Sequence, residues 1–191
     1  MKKIYLPLLV LFFDISFINA QLELISDDFD GFYSASGTTE FNDKLYFDRY
    51  DTDREENHIW YSDGTLDGTK KLTPNFSKNS LRTPVATNSH LYFLETERKN
   101  FDYIKTLWAT NGDDISTAVK ITEGEYIFRR FVRFDNKLVY VIEDGNDIYS
   151  LWITDGTIAG TVRLYQSSKW ITPVRSGNLI YFIENNIGVH R

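Results

Sequence analysis

Four short apolar runs recur along the chain: Leu45 to Phe47 (LYF), Leu91 to Leu94 (LYFL), Leu138 to Ile142 (LVYVI) and Leu179 to Ile183 (LIYFI). None alternates polar with apolar residues, as a strand with one wet face would, so each predicts a strand covered on both sides. Each follows a turn-forming joint: Phe41-Asn42-Asp43-Lys44, Thr87-Asn88-Ser89-His90, Phe134-Asp135-Asn136-Lys137 and Ser176-Gly177-Asn178. Asn, Asp and Gly tolerate the positive φ of tight hairpins, so the joints predict a strand on either side. The strands entering two of them contain Thr83-Pro84-Val85 and Thr172-Pro173-Val174. Proline has no N–H for a ladder, which places these strands at a sheet edge.

After the first three runs come polar loops of differing length, at 48–57, 95–102 and 143–147. Next stands a tryptophan strand that ends in a glycine turn: IWYSDGTLDGT at 59–69, LWATNGDDIST at 107–117 and LWITDGTIAGT at 151–161. Closing strands follow at 70–73, 118–122 and 162–166. Trp60, Trp108 and Trp152 step by 48 and then 44 residues, the size of one propeller blade. The pattern predicts an all-β, propeller-like array of four-stranded antiparallel blades, about three and a half of them, over 21–191. The blades run approximately 32–73, 83–122, 128–166 and, incomplete, 172–191. A propeller covers both faces of each sheet with its neighbours; a single antiparallel sandwich is the second choice. The partial fourth unit has two readings. One is a piece of a longer propeller whose further blades belong to the same protein. The other is a closed four-bladed ring, with Ile187 to Arg191 as a degenerate third strand and Leu22 to Ser26 as the fourth.

The repeat turn carries a definite chemistry. In Asp63-Gly64-Thr65 and Asp155-Gly156-Thr157 the carboxylate is placed to accept from turn amides, and the first glycine to take positive φ. Gly68 and Gly160 close the same turns. The middle copy keeps Asn111-Gly112 but has Asp113 for the Thr and Ser116 for the second Gly, which predicts a different loop. Trp60, Trp108 and Trp152 occupy one slot in successive units, where a large side chain fills the gap between sheets. Trp170 falls outside that register and is the better candidate for an exposed contact.

The first twenty residues read differently. Lys2 and Lys3 precede an apolar run from Ile4 to Phe13, interrupted by Asp14, and Ile18-Asn19-Ala20 before Gln21 resembles a cleavage site. This is the pattern of a cleaved signal peptide, 1–20, rather than a membrane span, which needs about 20 apolar residues. The expectation is therefore a secreted, periplasmic or cell-surface protein with no integral span after cleavage. Without cysteine there is neither a disulfide framework nor a thiolate metal site. Loss of the leader leaves 19 basic and 26 acidic residues, a net charge of −7, which repels phosphate backbones and makes nucleic acid a poor partner. The one basic cluster, FRRFVRF at 128–134, reads as a strand with two faces.

Candidate chemistry is sparse. His58, His90 and His190 lie in different units, and HExxH, GxSxG and phosphate-loop motifs are all absent. Asp51, Asp53 and Asp144 sit in polar loops, and neither Asp51-Thr52-Asp53 nor Asp144-Gly145-Asn146-Asp147 continues into a full calcium loop. No catalytic residue, metal or cofactor is assigned. An enzyme reading would need paired acids, as in glycosidases built on propellers.

The repeated Trp-x-[Thr/Ser]-Asp-Gly-Thr-x-x-Gly-Thr resembles the ELWxTDGTxxGT repeats of secreted bacterial proteins, over about residues 33–191 and without the usual leading Glu. The resemblance implies a propeller-like surface protein and says little about activity. The expected function is a non-enzymatic exported module for interaction with a protein or glycan at the cell surface or envelope, and the alternative is a carbohydrate-active enzyme with acids at the propeller axis.

Overall fold

The computed structural model describes residues 37–51, 56–73, 80–112 and 114–185. The leader 1–20, the closing strand expected at 22–26 and the degenerate third strand expected at 187–191 lie outside these residues, as do Asp53 and His190. The described chain is all-β, with a single 3-10 turn at Ile115–Thr117. None of its helices is long and apolar enough to cross a membrane.

Three four-stranded antiparallel sheets and one two-stranded sheet follow in chain order, none closed on itself. Blade one is β1 (Thr38–Phe41), β2 (Lys44–Asp51), β3 (Glu56–Ser62) and β4 (Lys70–Lys71). Blade two is β5 (Ser80–Ala86), β6 (Leu91–Lys99), β7 (Asp102–Thr110) and β8 (Val119–Gly124). Blade three is β9 (Ile127–Phe134), β10 (Lys137–Glu143), β11 (Tyr149–Thr154) and β12 (Val162–Ser167); blade four has β13 (Trp170–Ser176) and β14 (Leu179–Asn185). Each sheet is a meander in sequence order, which is what short turns between adjacent strands allow.

Local chemistry fixes the hairpins. Asn42 (φ 51°) and Asp43 (φ 58°) take the left-handed turn between β1 and β2, as does Asp135 (φ 53°) between β9 and β10. The edge prolines behave as their missing N–H requires. β5 is an edge strand, and Pro84 lies within a register shift between Arg82 and Val85, after Thr83 at φ 60°.

The core consists of three seams between successive blades. Phe41, Tyr46, Ile59 and Leu72 of blade one pack on Leu81, Ala86, Leu91 and Phe93 of blade two. Tyr92, Leu107, Ala109 and Ile121 meet Leu138, Tyr140 and Ile142. Val139, Val141, Tyr149 and Leu151 meet Ile171, with Trp170 and Ile180 alongside. Successive residues of β6 and β10 therefore face opposite neighbours and both sets are buried, which is why those runs lack alternation.

The fourth run departs from the expectation. Leu179, Tyr181, Phe182 and Ile183 are 58, 55, 40 and 58% exposed, so β14 is not covered on both sides as the other runs are. Alignment of its run with Leu138 to Ile142 also needs shifting by one residue. Ser176 pairs with Leu179 as Phe134 pairs with Lys137, so Ile180-Tyr181-Phe182 is the counterpart of Leu45-Tyr46-Phe47 and Leu91-Tyr92-Phe93. The Val85↔Tyr92 and Val174↔Tyr181 pairs confirm this register.

Candidate functional site

The glycine turns are self-contained hydrogen-bond units. Asp63 Oδ1 accepts from Thr65 N (2.9 Å) and Thr65 Oγ1 (2.7 Å), Gly68 N donates to Thr65 Oγ1 (2.9 Å), and Thr69 Oγ1 donates to Thr65 O (2.7 Å). Asp155, Thr157, Gly160 and Thr161 repeat the set. A Cβ on Gly68 or Gly160 would lie 1.9 or 2.0 Å from the Oδ1 of that same Asp, so the second glycine makes room for the first carboxylate. In the middle copy Asp114 Oδ1 accepts from Ser116 N (2.8 Å) and the chain makes a 3-10 turn, with Thr117 Oγ1 donating to Asn111 Oδ1 (3.2 Å). Gly112 has no atom within 4 Å of its would-be Cβ.

The Thr65 and Thr157 hydroxyls, then their backbone N–H groups, hold the Asp63 and Asp155 carboxyls below the usual range. A depressed carboxyl pKa contributes stability above the unfolded value of about 3.9 and loses it as pH falls through the folded value. Asp155→Asn is therefore expected to shrink the fall in melting temperature between neutral pH and pH below about 3. An unchanged acid profile would mean that the carboxylate does not hold the turn.

The three repeat tryptophans are half-buried, Trp108 at the first seam, Trp152 at the second and Trp60 on the face of blade one that points away from the first seam, and they differ in what they meet. Their cross-strand partners are Phe47, Phe93 and Tyr140, and two residues further along the same strand face stands Arg49, Glu95 or Ile142. Arg49 lies over the Trp60 ring (5.1 Å). Glu95 Oε2 accepts from Trp108 Nε1 (2.7 Å). Next to Ile142, the Trp152 indole N–H is buried with no hydrogen-bond partner among the described residues, while its ring stacks on Tyr140 (6.5 Å, 12°). These indoles are packing groups. Trp170, the candidate for exposure, is also half-buried: it packs on Tyr149 (5.5 Å), lies under the Arg129 guanidinium (5.2 Å) and donates to Thr172 Oγ1 (2.9 Å). It opens β13 and so fills the rim between blades three and four.

The remaining polar candidates are structural. His58 is buried, its Nδ1 donating to Thr73 O (3.1 Å). His90 packs on Tyr92 (6.1 Å), and burial lowers its pKa. Among buried acids, Asp48 Oδ1 accepts from Gly37 N (2.8 Å) and Glu143 pairs with Arg129 (2.6 Å). Arg133 of the basic strand donates to Thr39 Oγ1 of blade one. Asp144 Oδ1 closes its own loop by accepting from Asn146 N and Ile148 N. No group of three or more His, Asp or Glu among the described residues could hold a metal.

What the structure adds is a cleft of about 530 Å³ at the rim of blade two, lined by Arg82, Thr96, Tyr103, Lys105, Glu125, Tyr126 and Ile127. Thr96 and Lys105 are opposite each other in the β6–β7 ladder, as are Arg98 and Tyr103. The Glu125-Tyr126 link to blade three forms another wall. Tyr103 is 56% exposed, and Phe101, at the hairpin tip after Asn100 (φ 59°), is 91% exposed. The sequence held one cue to this site: Tyr103 and Lys105 stand two apart in β7 and so share a strand face. Comparison of the chain with protein-family models, curated proteins and solved structures finds no match.

Proposed function

We propose that the chain is an exported, non-enzymatic binding module of the ELWxTDGTxxGT-repeat kind, and that the rim cleft of blade two holds an acidic glycan at the cell surface or envelope. The observation that carries this reading is the lining itself. Tyr103 and Tyr126 offer flat apolar surface for sugar rings, as aromatic side chains do when one end is apolar and the other wet. Lys105 and Arg82 outnumber Glu125 among the charged side chains that line the cleft, in an otherwise acidic chain (net −6). Export rests on the leader of residues 1–20. The non-enzymatic part is supported by the structural engagement of Asp48, Glu95 and Glu143, each of which serves a backbone amide, an indole or an arginine.

Affinity electrophoresis through gels containing polygalacturonate or dextran tests the reading. Polygalacturonate is expected to retard the protein and dextran not. Lys105→Ala or Tyr103→Ala should each weaken retardation by roughly tenfold in affinity, about 1.4 kcal/mol, without altering the melting temperature. Equal migration in both gels would overturn the assignment.

A further inference from the structure

The cleft face of the β6–β7 hairpin carries its cations and aromatic rings in rows. Thr96, Lys105 and Gly124 are cross-strand partners in one row of blade two, and such partners present their side chains on one face of the sheet. Gly124 leaves its place in that row empty. A Cβ there would lie 2.4 Å from Cε2 of Tyr126, so the Tyr126 ring lies over this glycine, next to the position of Lys105. Two residues further out on the same face is the second row, Arg98 opposite Tyr103. Each row thus sets one cation against one tyrosine ring, Lys105 with Tyr126 and Arg98 with Tyr103, and the rows are about 7 Å apart. Neither cation forms an ion pair among the described residues. The neighbouring Glu97–Lys99 pair (3.2 Å) falls on the opposite face of the hairpin, because side chains alternate along a strand.

We infer that this face is a platform of two subsites, and that its ligand is a run of at least two adjacent acidic sugars, not a single one. The inference deepens the acidic-glycan reading of the cleft and rests on it. In each row the ring offers a sugar flat apolar surface, and the cation takes its carboxylate in a charge-assisted hydrogen bond. A chain held at one row reaches the other intramolecularly, so its affinity exceeds that of an isolated unit by more than a doubling of sites. A lone acidic sugar engages one row at a time. Arg98 stands outside the cleft lining and is the residue that sets the length required.

The test runs the full chain through polygalacturonate gels containing a competitor, galacturonate or its linear trimer, compared at equal uronate content. The trimer is expected to release the unsubstituted protein at a uronate concentration roughly tenfold lower than the monomer. Arg98→Ala, at an exposed position, should keep its melting temperature and still be retarded through Lys105 and Tyr126, but the trimer should lose its advantage. Arg98→Lys should retain that advantage, since it keeps the charge. Equal competition by monomer and trimer against the unsubstituted protein, or a trimer advantage that survives in Arg98→Ala, would overturn the two-row platform and leave the cleft reading standing. Equal migration of the unsubstituted protein in polygalacturonate and dextran would overturn both.

Discussion

Gly156→Val is expected to lower the melting temperature far more than Gly64→Val, although the two glycines occupy the same place in the same motif. Both have strongly positive φ, +95° and +92°. A side chain in that conformation costs about 1–2 kcal/mol, and a β-branched one is a genuine outlier there. Their surroundings differ. A Cβ at Gly64 would have no atom within 4 Å, but at Gly156 it would stand 2.6 Å from the imidazole of His90, on blade two. That ring is not free to swing aside, since Ser89 Oγ holds its Nδ1 (2.9 Å) and Tyr92 packs against it (6.1 Å). Forcing extra carbon into such a contact adds about 1–3 kcal/mol. The expected totals are about 2 kcal/mol at Gly64 and about 4 kcal/mol at Gly156, or roughly 4–8 °C against 8–16 °C for a chain of this length. His90→Ala should recover the difference at Gly156 and nothing at Gly64, the signature of a local pair in a double-mutant cycle. Equal midpoints for the two valine variants would mean that blade three does not press on blade two at this turn.

This contrast also marks the line between what local sequence reveals and what it cannot. Asn42-Asp43, the Asp-Gly-Thr turns and the edge prolines act through their own backbone, and their residue types were enough to locate joints, strands and blade order. The non-alternating runs announced sheets covered on both sides, and β10 is buried along almost its whole length. Properties that depend on the neighbour escaped. Gly64 and Gly156 are identical in sequence context, and only the packing of blades separates them. The run at Leu179 looked like a fourth copy of Leu138 to Ile142, but the hairpin at Gly177-Asn178 has the same two-residue length as that at Asp135-Asn136, so the copy begins one residue later, at Ile180. An offset of one residue exchanges the two faces of a strand, which is how Leu179 comes to stand in the slot of Lys137. Trp170 read as exposed because it stood outside the Trp period, when its partners Tyr149 and Arg129 belong to another blade. The rim cleft was the least legible feature, because Arg82, Lys105 and Tyr126 come from three separate elements and converge only when the β6–β7 hairpin outgrows its neighbours.

The largest single loss is expected at Tyr140, where blades two and three are joined by both packing and a hydrogen bond. Its side chain is wholly buried, stacked between Phe128 (6.0 Å) and Trp152 (6.5 Å), and its hydroxyl shares a hydrogen bond of 2.8 Å with Thr122 Oγ1 of blade two. Tyr140→Ala removes the ring from a seam too tightly built to collapse around the space, at a cost of about 3–5 kcal/mol. Tyr140→Phe keeps the ring and strands only the Thr122 hydroxyl, which is part-buried and can turn toward water, so about 1 kcal/mol is expected. Urea unfolding of the two variants measures the ratio directly. Alkaline pH supplies a separate handle on the hydroxyl. Burial pushes the Tyr140 phenol up to about 12, against about 10 in an unfolded chain. A raised pKa contributes stability that is whole below the unfolded value and disappears as pH climbs to the folded one. The unsubstituted protein should therefore lose stability between about pH 10 and pH 12 more steeply than Tyr140→Phe. If the phenylalanine variant were as damaged as the alanine one, the seam would be held by its hydroxyl and not by stacked rings; if neither variant moved the midpoint, blades two and three would not be packed through Tyr140 at all.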